Sequence, residues 1–339
     1  MTAYLVRRSA WACLTVLAAV VLVFFAVRLL PGNPILARFG QHPVPERIEA
    51  AMAAEGWDDP LLVQLGHYLQ RVFLQADLGR SLLRPTDRVS EELLRRFPAT
   101  IELAVAAMLI ALPLGVLAGV AAAVWRNRWP DYVSMSGSLL GVSVPVFFLG
   151  ICLMSISEFV LGNYFPIGRR LPIGMRVDSA TGLYVFESLV RGDWVVFGEA
   201  ARHLFLPALA LSSIPAAVIA RLTRSSMLEV LESDYVRTAR AKGSSRVRAV
   251  FRHALPNAAI PIANIAGLQA SALLTGAVLT ETVFSWPGVG SYLVEAVRQS
   301  DYTVVQGAML LVATIFVAAN LLLDVLYAWL DPRVRIAGD

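Results

Sequence analysis

Six stretches of this sequence are apolar for long enough to cross a lipid bilayer, at 10–27, 100–124, 133–161, 203–220, 258–279 and 303–330. In a hydrocarbon core every backbone N–H and C=O needs a partner within the protein, so runs of about 20 apolar residues form helices that pack side by side. The pattern predicts an all-α polytopic membrane protein with six transmembrane helices. Its segments are a first transmembrane helix at 1–30, an extracytoplasmic subdomain at 31–98 between helices 1 and 2, a five-helix core at 99–330 containing a polar loop at 221–257, and a tail at 331–339.

Composition agrees with the periodicity. Of the 339 residues 57% are hydrophobic and 16% charged, where a soluble domain is nearer a quarter charged. The net charge is +4, yet Lys242 is the single lysine among 29 basic residues and the arginines sit beside apolar runs. That is not the clustered basic face of a nucleic-acid binder, and no nucleic-acid partner is expected; membrane lipid is. Cys13 and Cys152 lie inside apolar runs, where they act as small hydrophobes. The first run is longer than a signal-peptide core and no small-residue cleavage pattern precedes Pro31, so it reads as a retained span.

Charge asymmetry sets the expected orientation. The segments 1–9, 125–132, 221–257 and 331–339 hold 14 basic residues in 63 positions, whereas 31–98, 162–202 and 281–302 hold 14 in 131. The denser set belongs in the cytoplasm, which places both termini there. Pro113, Pro145, Pro207, Pro215 and Pro261 predict kinks within the spans. Between Asp58 and Leu82 the apolar spacing predicts an amphipathic helix followed by a glycine turn.

The most basic segment, SDYVRTARAKGSSRVRAVFRHALPN, runs from Ser233 to Asn257 between spans four and five. Leu228, Leu231, Tyr235 and Ala239 recur at helical steps and predict one apolar stripe, with Arg237, Arg240 and Lys242 on the other faces. Gly243 ends that helix. Ser244 and Ser245 then offer N-caps for a second short helix that runs toward Leu255 and Pro256.

This segment resembles the cytoplasmic EAA loop of permease subunits in binding-protein-dependent ABC importers. Arg237, Thr238 and Ala239 stand at the E-A-A positions, Gly243 follows four residues after Ala239, and nine residues separate it from His253, Ala254, Leu255 and Pro256. Arg237, Thr238 and His253 depart from the Glu, Ala and Ile of the family pattern, so the charge of the surface cannot be copied from it. LPGNP, DPLLVQ, DLGRS and RFPATIELA, in that order, and RSSMLEVL with DYVRTARAKG, are similar to the dipeptide and oligopeptide branch. The resemblance implies a type I ABC importer permease fold in a bacterial inner membrane. It makes Asp234, Tyr235, Arg237, Thr238, Ala239, Arg240, Lys242, Gly243, Leu255 and Pro256 the contact with the ATPase. It also implies two separate ATP-binding subunits that hold the ATP and magnesium, an extracytoplasmic solute-binding protein and a second permease, with a heterodimer expected. Similar subunits carry dipeptides, longer peptides, glutathione or nickel chelates.

Polar residues at membrane depth are few. Glu102, Glu158 and Asp324 fall near span ends and read as interfacial, Asn320 lies within the last span, and Asn264 and Gln269 in the fifth span are candidates for a translocation path or for helix–helix hydrogen bonds. No phosphate-binding loop precedes Lys242, so no cofactor is expected in this chain. The dispersed His42, His67, His203 and His253 do not make a metal site. Two readings from other classes stay open: an ATP-independent secondary transporter, and an intramembrane serine hydrolase that pairs Ser138 with His203.

Overall fold

The computed structural model describes residues 2–29, 46, 52, 56, 58–175 and 177–330, and these are helical almost throughout. LPGNP and the terminal DPR lie outside the described residues. In chain order the helices are α1 Thr2–Leu29, α2 Leu61–Leu74, α3 Val89–Val124, α4 Trp129–Ser143, α5 Val146–Phe159, α6 Tyr184–Arg191 and α7 Trp194–Leu231. After them come α8 Asp234–Ala241, α9 Arg246–Arg248, a π-helical stretch Ala249–Ala254, α10 Leu255–Gly276, α11 Val278–Val283, α12 Val289–Arg298 and α13 Tyr302–Leu330.

Among the described residues five helices are long and apolar enough to cross a membrane, and a sixth crossing is made if α4 and α5 count as one. Here the third expected span is corrected. It is two helices bent by 106° at a break that contains Pro145. Proline removes a backbone donor and disfavours the helical conformation in the residue before it, so Val144 is extended and a new helix starts at Val146. Pro207 and Pro215, by contrast, sit inside an unbroken 38-residue helix. The fourth span is therefore longer at both ends than its uncharged stretch, and the fifth begins earlier, at Leu255.

The chain forms two compact units, one of residues 1–100 with 287–339 and one of 101–286. In the first, α1 packs along α13. Val20 and Phe24 of α1, Tyr68 of α2 and Leu310 of α13 share one buried cluster. Val89 and Leu93 of α3 join Val289, Tyr292 and Val304 in another. Residues 58–98 therefore do not stand apart as a separate subdomain, because their apolar side chains have their partners on α1, α12 and α13. Buried Asp301 fixes the corner before α13: its carboxylate accepts from the Ser81 hydroxyl at 2.5 Å, from Leu82 N–H at 3.2 Å and from Val304 N–H at 3.3 Å. Arg8 and Asp324 form an ion pair, which puts the start of α1 and the end of α13 on the same side.

In the second unit α4, α5, α6 and α10 all pack on α7. α3 comes close to α7 at Gly115 and Gly119. A β-carbon on Gly115 would lie 2.8 Å from the Ala216 carbonyl oxygen, and one on Gly119 would lie 2.5 Å from the carbonyl oxygen of Ala220. Small residues four apart let two backbones meet this closely inside a membrane, where dispersion and close packing replace the hydrophobic effect between helices.

At one end of this unit Glu102 is not interfacial. It is buried, pairs with Arg170 at 2.5 Å and accepts from Val185 N–H at 2.7 Å, while Arg170 stacks on Tyr184 at 3.9 Å from the ring centroid. Neighbouring Glu187 accepts from the Ser179 hydroxyl and from the N–H groups of Ala180 and Thr181, and these bonds pull its carboxyl down to about 2.

Gly119→Val should lower the thermal stability of the purified protein by about 1–3 kcal/mol, since a backbone oxygen cannot move aside for the new methyls. Gly137→Ala, where the added carbon meets nothing within 4 Å, should leave it unchanged. Equal melting temperatures for the two variants would contradict the seam. The Glu187 cap is complete above the ordinary carboxylate pKa of 4.5 and is lost as pH falls toward 2. Protection factors at 179–183, taken against the intrinsic exchange rate at each pH, should fall over that window in the native chain, and Glu187→Gln should remove that fall.

Candidate functional site

The basic segment folds as the expected hairpin. α7 stops at Leu231 because Ser233 turns extended, with its hydroxyl donating to the Val230 carbonyl at 2.5 Å. α8 then starts on a new axis, so the helical register restarts. This moves the apolar stripe: Val236 is the buried residue of α8, 1% exposed, whereas Tyr235 is 45% exposed. The stripe expected through Tyr235 is corrected on that ground. Val236 joins Val120 and Ala123 of α3, Met227 of α7, and Ala249, Val250 and Ala254 of the second arm in one buried cluster. Full burial of a valine contributes about 1.5–3 kcal/mol, so the hairpin's underside is held to its own bundle.

Gly243 closes α8. Its N–H donates to the Arg240 carbonyl at 3.0 Å, the next N–H, of Ser244, reaches back to Ala239 at 3.1 Å, and its φ is +88°. The two nested bonds form a Schellman turn, which needs a left-handed residue at this position. A β-carbon on Gly243 would meet nothing within 4 Å inside the chain, so the constraint there is conformational. Ser245 caps the second arm, accepting from Arg248 N–H. No separate short helix ends at Leu255. The arm passes through the π-helical stretch Ala249–Ala254, and Leu255 and Pro256 are the first residues of α10. The ladder is intact up to Leu255, whose N–H donates to the Val250 carbonyl, and Pro256 supplies no donor at the next position.

The outer face of the hairpin is exposed and mixed. Asp234, Arg237, Thr238, Arg240 and Lys242 are exposed on the first arm, with Ala239 half-buried. On the second arm Val247 is 68% and Phe251 51% exposed, four residues apart and next to Arg248 and Arg252. The sequence reading passed over Val247 and Phe251. Their spacing on one face of a strongly charged arm was the available signal. Apolar side chains bordered by arginines have the chemistry to meet a surface with a greasy centre and an acidic rim.

Asn264 and Gln269 do not share a face. Five residues apart, they lie about 140° apart around α10; Asn264 is exposed and Gln269 partly buried. Ser138 and His203 are each bonded within their own helix, the hydroxyl donating to Ser134 O at 2.8 Å and the ring nitrogen bonded to Glu199 O at 2.7 Å. Neither is poised as a nucleophile and base.

Residues 98–336 match the family described as the binding-protein-dependent transport system inner membrane component, and residues 1–104 match its N-terminal companion. The chain belongs to this family. The permease is 43% identical to the dipeptide transport system permease protein DppB of Alkalihalophilus pseudofirmus over 99% of this chain and 100% of that one. It is 44% identical to the di/tripeptide transport system permease protein DppB of Pseudomonas aeruginosa, over 99% of each chain. It is 41% identical to the glutathione transport system permease protein GsiC of Salmonella choleraesuis, again over 99% of each. A permease of an ABC importer is a transporter subunit and not an enzyme, and neither the hydrolase nor the secondary-transporter reading is favoured.

Because a non-glycine residue pays about 1–2 kcal/mol in the left-handed region and asparagine less, Gly243→Val should loosen the hairpin and Gly243→Asn should do so only slightly. Amide exchange across 234–245 measures both. Indistinguishable protection in the two variants would contradict the turn geometry.

Proposed function

We propose that this permease imports short peptides, delivered by an extracytoplasmic solute-binding protein and driven by ATP that two separate subunits bind and hydrolyse with magnesium. The observation that carries the reading is the two-faced hairpin: one side is fixed to the membrane bundle by Val236 and its neighbours, and the other presents Tyr235, Val247 and Phe251 among arginines. A surface so attached converts movement of a docked motor into movement of the spans. Asp234, Tyr235, Arg237, Thr238, Ala239, Arg240, Lys242 and Gly243 form its first arm. Leu255 and Pro256 join it to the span.

The substrate class follows the relatives. Those named for dipeptides, for di- and tripeptides and for glutathione differ little in identity to this chain, and glutathione is itself a tripeptide. In the proposed assembly a second, different permease completes the pore, the complex sits in a bacterial inner membrane, and both termini and the hairpin face the cytoplasm. Asn264 is the better placed of the two path candidates because it lies on an open face of α10.

Proteoliposomes holding the whole importer should accumulate labelled dipeptide only with ATP inside and binding protein outside. Uptake that persists without ATP and follows a proton gradient would overturn the proposal. Gly243→Val or Gly243→Asp should abolish uptake while leaving the amount of membrane-inserted protein unchanged. A cysteine at Lys242 should react with impermeant maleimide only from the cytoplasmic side.

A further inference from the structure

Three contacts join the end of α3, the start of α4 and the short turn between them to the coupling hairpin and to the helix that leads into it. Arg246, at the start of the second arm, donates to the Val124 carbonyl at 2.5 Å. Arg126 pairs with Glu232, the residue linking α7 to α8, at 2.8 Å. Arg224 of α7 grips Asp131 at the start of α4 with two bonds, Nε to Oδ1 at 2.6 Å and Nη2 to Oδ2 at 2.8 Å. Asn127 N–H completes that carboxylate at 2.9 Å, in a residue whose φ of +58° aims the amide back at it.

Each contact suits its chemistry. Val124 ends α3, so its carbonyl has no partner in the helix and sits at the negative end of the helix dipole, where an arginine is favoured. Asp131 is 4% exposed, and a buried carboxylate held by a bidentate guanidinium and a backbone N–H has one arrangement. Arg126 and Glu232 are both open to solvent, with side-chain exposures of 54% and 66%. A surface pair of this kind adds little to the folded state. Its position is what matters, in the two-residue link where α7 hands over to α8.

We propose that the turn 125–128 is a second arm of the coupling element, and that Arg126, Arg246, Asp131 and Arg224 are positioning residues that pass displacement of the hairpin to α3 and α4 as well as to α7 and α10. Val236 already packs on Val120 and Ala123 of α3, and these contacts add directional polar ties to that apolar packing. With them, the helix that carries the Gly115–Gly119 seam and the helix before the 106° bend are moved from the same point. This inference rests on the reading of the hairpin as the ATPase contact.

The test uses the complete importer in proteoliposomes and counts ATP hydrolysed per peptide taken up, a ratio that a purely structural contact would not change. Arg126→Glu and Arg246→Ala lie on the exposed side and spare the buried Asp131 pair, so the protein should assemble with its melting temperature unchanged. Each should raise the ratio about two- to tenfold. Adding Glu232→Arg to Arg126→Glu restores the pair with its charges exchanged and should bring the ratio back. A ratio unchanged in both single variants, or raised by Arg126→Glu and not restored by the exchange, overturns the brace. Gly243→Val in the same vesicles separates the two levels: full coupled uptake in that variant would sink the hairpin reading itself, whereas loss of uptake there with normal Arg126 and Arg246 variants would sink only the brace.

Discussion

The close approach of α3 to α7 is the constraint on which the larger unit depends. Gly115 and Gly119 remove the side chains that would otherwise separate the two backbones, and Ile219 and Thr223 take up the space. Gly141 of α4 stands near the Ser213 carbonyl on another side of α7, and α10 occupies a third. In lipid no hydrophobic gain draws helices together, so contact at this range supplies the cohesion. With α7 so enclosed, its two ends are fixed in place: one leads into the basic hairpin, and the other receives α6 across Gly192 and the Asp193 cap.

The hairpin divides its labour between its sides. Its apolar residues split into an inward set, Val236, Ala249, Val250 and Ala254, and an outward set, Tyr235, Val247 and Phe251. A loop that was only basic would satisfy the charge rule for a cytoplasmic turn and nothing more. The inward set makes it part of the bundle. The outward set gives a second protein something to hold that salt does not screen.

Much of this was legible in the sequence. The spans, the hairpin, the stop at Gly243 and the start of the next helix at Leu255 and Pro256 follow from run length, charge and residues whose backbone demands are strict. What stayed hidden depends on partners distant in the chain. Glu102 reads as interfacial until Arg170, 68 positions later, is found beside it. Val236 outranks Tyr235 because a one-residue break at Ser233 resets the helical phase, and periodicity carried across that break picks the wrong face. Pro145 lies in a 106° break of its span while Pro207 and Pro215 leave α7 continuous, a difference that the prolines alone do not reveal and that accompanies the packing of several helices on α7. Within the segment 31–98, the described apolar residues at 58–98 are part of a core that α1, α12 and α13 complete, and run length alone does not reveal those partners.

At 38 residues α7 is about 57 Å long, nearly twice the roughly 30 Å of a hydrocarbon core. It is one continuous helix with more length than a hydrocarbon core needs. A tilt imposed where it meets the hairpin reaches the far aqueous phase as a swing of its opposite tip. The softest points along it are set by Pro207 and Pro215, where the carbonyls of His203 and Leu211 lack their usual donors, so a difference in angle between the tips is taken up most easily between His203 and Pro215.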